Sequence, residues 1–277
     1  MVFSSAIFLF CFLPLTFLLY QIPLGRKWQN GLLAVMSLIF YAFGNLQYVP
    51  LFVLSILINY LTGLLLGGRF RRSRAVLTIN ILLNLGILCV YKYTDFLIGN
   101  LNLLGFHFQA PGLVLPIGIS FFTFQGLSYT IDVFRHPEEY SRSFFRLFLY
   151  ISFFPQLIAG PIVRWGDISE QIDSRQCSPE KTEQGIRRFI IGLSKKLLLA
   201  DAMAVIADAA FSAQIGDWRL AWLGGICYSL QIYFDFSGYS DMAIGMGKIF
   251  GFSIRENFLF SLFYLFRESE AGRCPSF

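Results

Sequence analysis

Long apolar runs recur along this chain from its first residues to about residue 266, and they constrain its fold more than any other feature. Hydrophobic residues make up 56% of the sequence and charged residues only 14%. One soluble core of 277 residues does not bury that much apolar side chain. Because a spanning helix needs about 20 mostly apolar residues, the sequence predicts an all-α polytopic membrane protein with about seven to nine membrane-embedded helices.

The predicted membrane segments are separated by short polar stretches. They cover residues 3–22, 30–44, 48–67, 75–91, 116–134, 147–163, 186–211 and 218–236, with a further embedded stretch over 239–252. The Gly/Asn-containing stretch from 92 to 115 predicts an interfacial helix and turn.

The basic loop RFRRSR, residues 69–74, gives the strongest indication of topology. Loops rich in arginine face the cytoplasm, which predicts an N-terminus on the opposite, outer side of the membrane. The net charge of +5 comes from basic residues beside the ends of spans, so no nucleic-acid partner is expected. The first apolar run has no basic region before it, so it is interpreted as a span and not as a signal peptide.

The segment LFLYISFFPQLIAGPIV, residues 147–163, is as long as a span but is interrupted by Pro155, Gly160 and Pro161. Broken backbone is tolerated at membrane depth only where protein or a water-filled cavity satisfies its polar groups. We therefore expect a re-entrant element shaped by these three residues and lining a cavity. Lys195 and Lys196, which interrupt a later span, are expected to extend their ammonium groups to the interface.

Polar side chains lie within two otherwise apolar spans. On a helix, Gln231 and Asp235 share a face, as do Asp235 and Tyr239, and Ser237 and Asp241. Such residues are consistent with an ion-pair or hydrogen-bond network between helices, and equally with a substrate site. Gln125, Ser128, Tyr129 and Asp132 form a similar polar stripe, which helix packing alone would also explain.

Metal and soluble-enzyme chemistry find no support in the sequence. The five cysteines show no CxxC or Cys/His ligand spacing, so neither a metal site nor a disulfide framework is predicted. His107 and His136 lie in polar or interfacial stretches and are interpreted as solvated surface histidines.

Four stretches together resemble the membrane-bound O-acyltransferase family, in particular its bacterial branch of alginate O-acetylation proteins and D-alanyl-teichoic-acid transferases. They are LPIGISFFTFQGLSYTIDVFR at 115–135, FFPQLIAGPIVRW at 153–165, YSLQIYFDFSGYSDMAIGMGKIFGF at 228–252 and ENF at 256–258. The resemblance implies a ring of helices around a tunnel, and transfer of an acetyl or similar acyl group to a polysaccharide hydroxyl. The acyl donor is then a cytoplasmic thioester that acts as a substrate, with no bound cofactor.

The resemblance also implies partners and site residues. The partners are the lipid bilayer, an acyl-donor carrier, and extracytoplasmic transferase or polysaccharide-assembly proteins. The expected tunnel-lining residues are Gln125, Gln156, Arg164, Gln231, Asp235, Tyr239 and Asp241.

The sequence departs from the family pattern after residue 258. The family continues with a histidine-bearing region that holds its presumed general base, whereas this chain continues with a short charged tail over 259–277. We therefore expect an incomplete O-acyltransferase-like domain over 1–258, a divergent tail that a frameshift, a truncation or genuine divergence would explain, no catalytic residue in this chain, and no activity of the chain alone.

Two other functions are consistent with the sequence. Broken helices and acids at the membrane midplane are also typical of secondary transporters and channels, although no second, inverted copy of the broken element is found. A non-functional truncated fragment is the third alternative. Covalent labelling of a glycan would indicate the enzyme, and uptake without modification would indicate transport.

Overall fold

A computed structural model describes residues 2–109, 111–157, 163–213 and 217–256, and these residues form helices and no strand. The prediction of an all-α protein is therefore confirmed. The chain divides into two units, Met1–Gln176 and Cys177–Phe277. The predicted tail at 259–277 lies outside the described residues.

Unit 1 contains eight α-helices among its described residues. They are α1 Leu13–Tyr20, α2 Arg26–Asn45, α3 Val49–Gly67, α4 Arg74–Leu103, α5 Ile119–Arg135, α6 Phe144–Ser152, α7 Phe154–Leu157 and α8 Trp165–Ser174. A π-helical turn, Phe8–Phe12, leads into α1. Two helical segments of the described residues are long and apolar enough to cross a membrane, namely Leu46–Gly67 and Arg74–Leu103, and the shorter Phe8–Tyr20 is also apolar. The total of seven to nine embedded helices stays a prediction.

Helix α4 runs further than the sequence indicates. A span ending at 91 followed by a separate interfacial helix and turn over 92–115 is predicted, but one continuous helix runs to Leu103. The polar residues in this part do not break it because their side chains donate to carbonyls one turn earlier, as Thr94 does to Val90 at 2.6 Å and Asn100 does to Phe96 at 2.8 Å. The helix ends before Gly105, whose φ of 96° reverses the chain.

The polarity of α4 is inverted relative to a helix of a water-soluble protein. Its buried residues are Asn80, Asn84 and Leu88, while Leu82 and Val90 are exposed. A soluble helix buries its apolar stripe and exposes its polar one. An apolar outer face and a polar inner face are the arrangement that a hydrocarbon environment favours.

The buried amides of α3 and α4 form one hydrogen-bonded cluster with α5. Asn80 donates to Thr62 at 2.9 Å and to Asn59 at 3.3 Å. Asn84 also donates to Asn59, at 3.2 Å, and Thr130 of α5 donates to Asn80 at 3.1 Å. The three helices are thus joined by neutral side chains that satisfy one another. We call these five residues the amide cluster.

Unit 2 is a long helical hairpin. Its first arm consists of α9 Pro179–Ser194, a π-helical turn Lys195–Ala200, and α10 Asp201–Ser212, and its second arm is α11 Trp218–Ile249. The expected break between 236 and 239 is absent, since α11 is continuous through both predicted segments. Ser178 caps α9 by accepting a hydrogen bond from the Lys181 N–H at 3.2 Å.

The same helix start affects a carboxyl group. The exposed Glu180 carboxylate accepts hydrogen bonds from its own backbone N–H and from the Ser178 hydroxyl, and these bonds lower its pKa.

Glycines set the distance between the two arms of the hairpin. A Cβ at Gly185 would lie 2.6 Å from the Gly245 carbonyl oxygen, and one at Gly192 would lie 2.5 Å from the Gly238 carbonyl oxygen. The two glycines of each arm are seven residues apart, and they pair in antiparallel order. The backbones of α9 and α11 are therefore in direct contact at two points, two helical turns apart.

Replacing Asn80 with Leu should lower the free energy of unfolding by about 1–2 kcal/mol, because the amide cluster loses its central residue and leaves neighbouring polar atoms unpaired. Asn100→Leu on the same helix is the matched control, since its amide contacts only its own helix. Unfolding of the detergent-solubilised protein by sodium dodecyl sulfate measures both. Equal losses for the two variants would contradict a special role of the cluster.

Replacing Gly245 with Ala should destabilise the hairpin by about 1–3 kcal/mol, because the new methyl would meet backbone atoms of α9. The control is Gly225→Ala on the same helix, where a Cβ meets nothing within 4 Å. That change should be neutral or stabilise the helix by up to about 1 kcal/mol. The same unfolding measurement compares them, and a harmless Gly245→Ala would show that the arms are not tightly packed.

Candidate functional site

The acidic residues of α11 are held by cations on the facing arm of unit 2. Lys195 Nζ lies 2.5 Å from Asp241 Oδ2, and Arg188 approaches Asp241 Oδ1 through Nε at 3.0 Å and Nη2 at 2.9 Å. Arg188 also pairs with Glu256. The Asp241 carboxylate thus receives hydrogen bonds from two cations on both of its oxygens.

Lys195 is buried, which corrects the expectation that it extends to the interface. Its side chain is only 4% exposed, and its Nζ donates to Ser237 at 3.2 Å as well as to Asp241. The ammonium group remains inside because it is paired and hydrogen-bonded there. Ser237 and Asp241 contact the same ammonium group, so the prediction that they share a helix face is confirmed.

Asp235 is held by the neighbouring lysine in a more exposed position. Lys196 Nζ lies 2.9 Å from Asp235 Oδ1 and 3.0 Å from Asp201 Oδ1. The Asp235 side chain is 46% exposed, compared with 9% for Asp241. The two acids therefore occupy different environments, as their spacing on one helix indicates.

The local backbone explains why two consecutive lysines both reach α11. They open the π-helical turn Lys195–Ala200, which is wider than an α-helical turn and turns the chain less per residue. Successive side chains therefore diverge less, and both can face the second arm. The ion-pair network anticipated for the acids is present, and its cations are Arg188, Lys195 and Lys196.

The remaining candidates of unit 2, Gln231 and Tyr239, are half-buried on α11. They extend the polar face that carries Asp235, at four-residue intervals on each side of it.

The segment at residues 147–163 that is interrupted by prolines and glycine is called the broken element. In unit 1 the polar stripe of α5 contacts the end of this element and the residues that follow it. Gln125 Nε2 donates to the Val163 carbonyl at 3.0 Å, and the Tyr150 hydroxyl donates to the same oxygen at 2.7 Å. Tyr129 accepts a hydrogen bond from the Ser141 N–H at 3.1 Å and packs edge-on against the ring of Trp165, 5.4 Å between centroids. The stripe thus has a packing role, which is one of the two interpretations of its sequence.

The broken element itself is described only in part. Helix α6 ends at Ser152, and the short α7 carries Pro155 and Gln156, both buried. Ser37 of α2 accepts the Phe154 N–H at 3.1 Å, so a side chain from another helix satisfies the backbone at the break. Gly160 and Pro161 lie outside the described residues.

Two buried oxygens near the break have no hydrogen-bond partner among the described residues, Ser152 Oγ and Gln156 Oε1. The Gln156 amide nitrogen donates to the Tyr150 carbonyl at 2.7 Å. Arg164, by contrast, is exposed at the start of α8. That the element lines a cavity therefore stays a prediction.

The structure places the seven candidate tunnel residues in two separate groups. Those of unit 1 are Gln125, Gln156 and Arg164, and those of unit 2 are Gln231, Asp235, Tyr239 and Asp241. A common tunnel stays a prediction. The sequence interpretation missed the amide cluster, although two asparagines at i and i+4 in an apolar helix would have indicated it.

Both histidines of the chain lie at the surface of unit 1. His107 and His136 are exposed, as predicted, and His136 Nδ1 lies 3.8 Å from Glu138 Oε1. No group of three or more His, Cys, Asp or Glu side chains that could hold a metal ion occurs in the part of the chain that is described.

Comparison with known proteins establishes the family. Residues 44–273 match the model of MBOAT, the membrane-bound O-acyltransferase family. The chain belongs to this family. The MBOAT chain is 40% identical over 266 residues to the probable alginate O-acetylase AlgI of Pseudomonas syringae pv. tomato, an alignment that covers 93% of this chain and 51% of the relative.

Further relatives come from the branch that the sequence motifs indicate. The peptidoglycan O-acetyltransferase of Helicobacter pylori is 37% identical, over 93% of this chain and 56% of the relative. The teichoic acid D-alanyltransferase of Bacillus subtilis is 26% identical, over 55% of this chain and 40% of the relative. The chain spans about half the length of the curated relatives that it matches over most of its residues.

Replacing Asp241 with Asn should destabilise unit 2 by about 3–5 kcal/mol, because Lys195 would keep a buried charge without its carboxylate. Asp235→Asn is the matched control and should cost less than about 1 kcal/mol, since that pair is half-exposed. Unfolding in detergent measures both changes.

A double variant distinguishes the effect of leaving Lys195 unpaired from the effect of changing the side chain at position 241. Asp241→Leu combined with Lys195→Met removes both charges, and it should be more stable than Asp241→Asn alone. If the double variant loses as much stability as the single one, an unpaired lysine is not the cause.

Proposed function

We propose that this chain is a component of a membrane O-acyltransferase that moves an acetyl or similar small acyl group toward an exported polysaccharide. The donor is a cytoplasmic acyl thioester, and the acceptor is a polysaccharide hydroxyl on the other side of the bacterial inner membrane. The observation that carries this proposal is the 40% identity to alginate O-acetylases over 93% of the chain. The inverted polarity of α4 supports placement in a bilayer.

The chemistry requires a nucleophile, a base and a leaving thiol. The acceptor hydroxyl oxygen attacks the thioester carbonyl carbon, the C–O bond forms, and the C–S bond breaks. The hydroxyl proton passes to a general base, and the sulfur leaves as a thiol after protonation. Both histidines of this chain are exposed, so we propose that the base comes from the region of the relatives that this chain does not match.

The proposed contribution of this chain is to position the reactants and exclude water. Holding the thioester and the hydroxyl in contact lowers the entropic part of the barrier. The broken element in unit 1 supplies buried polar groups inside apolar surroundings, which suits it to line an acyl path. An acyl-donor carrier on the cytoplasmic side, and transferase or polysaccharide-assembly proteins on the other, are the proposed partners.

Transfer of label tests the proposal. Inner-membrane vesicles are prepared with the full chain alone, and with the chain plus the unmatched second half of a 40% identical alginate O-acetylase. Radiolabelled acetyl thioester is supplied at the cytoplasmic face and deacetylated polysaccharide at the opposite face. We expect alkali-labile label on the polysaccharide only when both polypeptides are present.

Vesicles that contain the full-length relative are the positive control. If they label the polysaccharide while the paired polypeptides do not, the chain is not a functional acyltransferase component. Accumulation of unmodified label inside the vesicles would instead indicate transport and would contradict the proposal.

A further inference from the structure

Two loops at one end of α3, α4 and α5 carry a concentration of arginines in unit 1. Together with the adjoining first residue of α4 and last residue of α5, the loops span residues 68–74 and 135–142, and their six arginines are all exposed: Arg69, Arg71, Arg72, Arg74, Arg135 and Arg142. We call this set the arginine surface. Among the described residues, one of the six guanidinium groups forms a salt bridge, that of Arg71 to Glu138 at 3.5 Å. The six arginines outnumber the two exposed acids of these stretches, Glu138 and Glu139, so the surface stays positively charged.

Contacts between the two loops make the arginines one surface. Arg72, which has a left-handed φ of 56°, donates from Nη2 to the Arg135 carbonyl at 3.1 Å. The Tyr140 ring packs against Gly67 so closely that a Cβ there would lie 2.3 Å from it. Tyr60 of α3 donates to the Arg142 carbonyl at 3.0 Å. The positions of these guanidinium groups are thus partly fixed by the fold.

Its place between two apolar helices suits the arginine surface to the boundary between lipid and water. The first loop joins α3 and α4, and the two segments that are long and apolar enough to cross a membrane are Leu46–Gly67, which ends with α3, and Arg74–Leu103, which is α4. Only residues 68–73 separate the two helices, and at about 3.3–3.6 Å per residue so short a loop cannot carry its side chains far from the headgroups. Phe70 is 45% exposed beside Arg69, whose guanidinium lies 5.7 Å from its ring centroid. An exposed ring beside a cation suits an interface that is apolar on one side and charged on the other.

We propose that the arginine surface is a binding site for the headgroups of anionic phospholipids. A guanidinium group donates two parallel hydrogen bonds to a phosphate, and neighbouring arginines can hold one or two headgroups. Arginine stays protonated at every physiological pH, so the six guanidinium groups keep their charge, and binding should weaken as the salt concentration rises. The site does not depend on the acyl-transfer proposal.

Native mass spectrometry tests the site on the full chain purified in detergent. The protein is offered equal amounts of phosphatidylglycerol and phosphatidylcholine, and the lipids retained by each protein ion are counted. Each arginine near an anionic surface contributes roughly fivefold to affinity. The R69Q/R71Q/R72Q/R74Q variant should therefore lose its preference for phosphatidylglycerol by at least about tenfold.

A scattered variant controls for net charge. K92Q/K181Q/R187Q/R219Q also removes four exposed cations, but none of them belongs to the arginine surface. It should keep the preference within about threefold of the unmodified chain. Free glycerol phosphate at the same concentration should not displace the lipid, because it lacks the acyl chains that hold the headgroup at the interface.

Two results would overturn the proposal. One is an unchanged lipid preference in the four-glutamine variant, and the other is an equal loss of preference in the scattered variant.

Discussion

In a bilayer no water is available to a buried polar side chain, so each must find its partner within the protein, and both units are organised around this constraint. Unit 1 meets it with neutral groups, since the amide cluster joins α3, α4 and α5 through side chains of Asn and Thr. Unit 2 meets it with charges, since Asp241 is surrounded by Lys195 and Arg188. Hydrogen bonds between neutral side chains tolerate small shifts of a helix. Removing one partner of a buried ion pair, in contrast, strongly destabilises the fold.

Close contact between the backbones of α9 and α11 makes the buried ion pairs of unit 2 possible. Lys195 and Arg188 reach Asp241 on a helix whose backbone touches that of α9 at two glycine pairs. A larger residue at these points would separate the arms, and the carboxylate would no longer lie within reach of both cations. The glycines, the π-helical turn and the ion pairs are therefore parts of one arrangement, and a change in any of them should disturb the others.

The sequence predicted those features that depend on local composition. The helical class and the approximate positions of α2, α3 and α5 follow from apolar runs, and the exposure of both histidines follows from their polar neighbourhoods. The motifs at 115–135, 153–165 and 228–252 identified the family.

Features that depend on a partner distant in sequence could not be predicted in the same way. From the sequence alone Lys195 is expected to extend to water, because its partner Asp241 lies 46 positions later in the chain. Glycine disfavours a helix, so Gly238 alone suggests an interruption between residues 236 and 239. In the structure it lies within the continuous α11, against the Gly192 carbonyl. That α4 continues without interruption to Leu103, and is not followed by a separate interfacial helix, was missed because Thr and Asn side chains can bond to their own helix as well as end it.

The two glycine pairs also restrict how unit 2 can move. If α9 slid along α11 by one turn, Gly238 and Gly245 would face residues that carry a Cβ, and the backbones would have to separate. Sliding would also carry Lys195 away from its carboxylate. The glycine contacts therefore fix the register of the paired section, and its two arms have to move together.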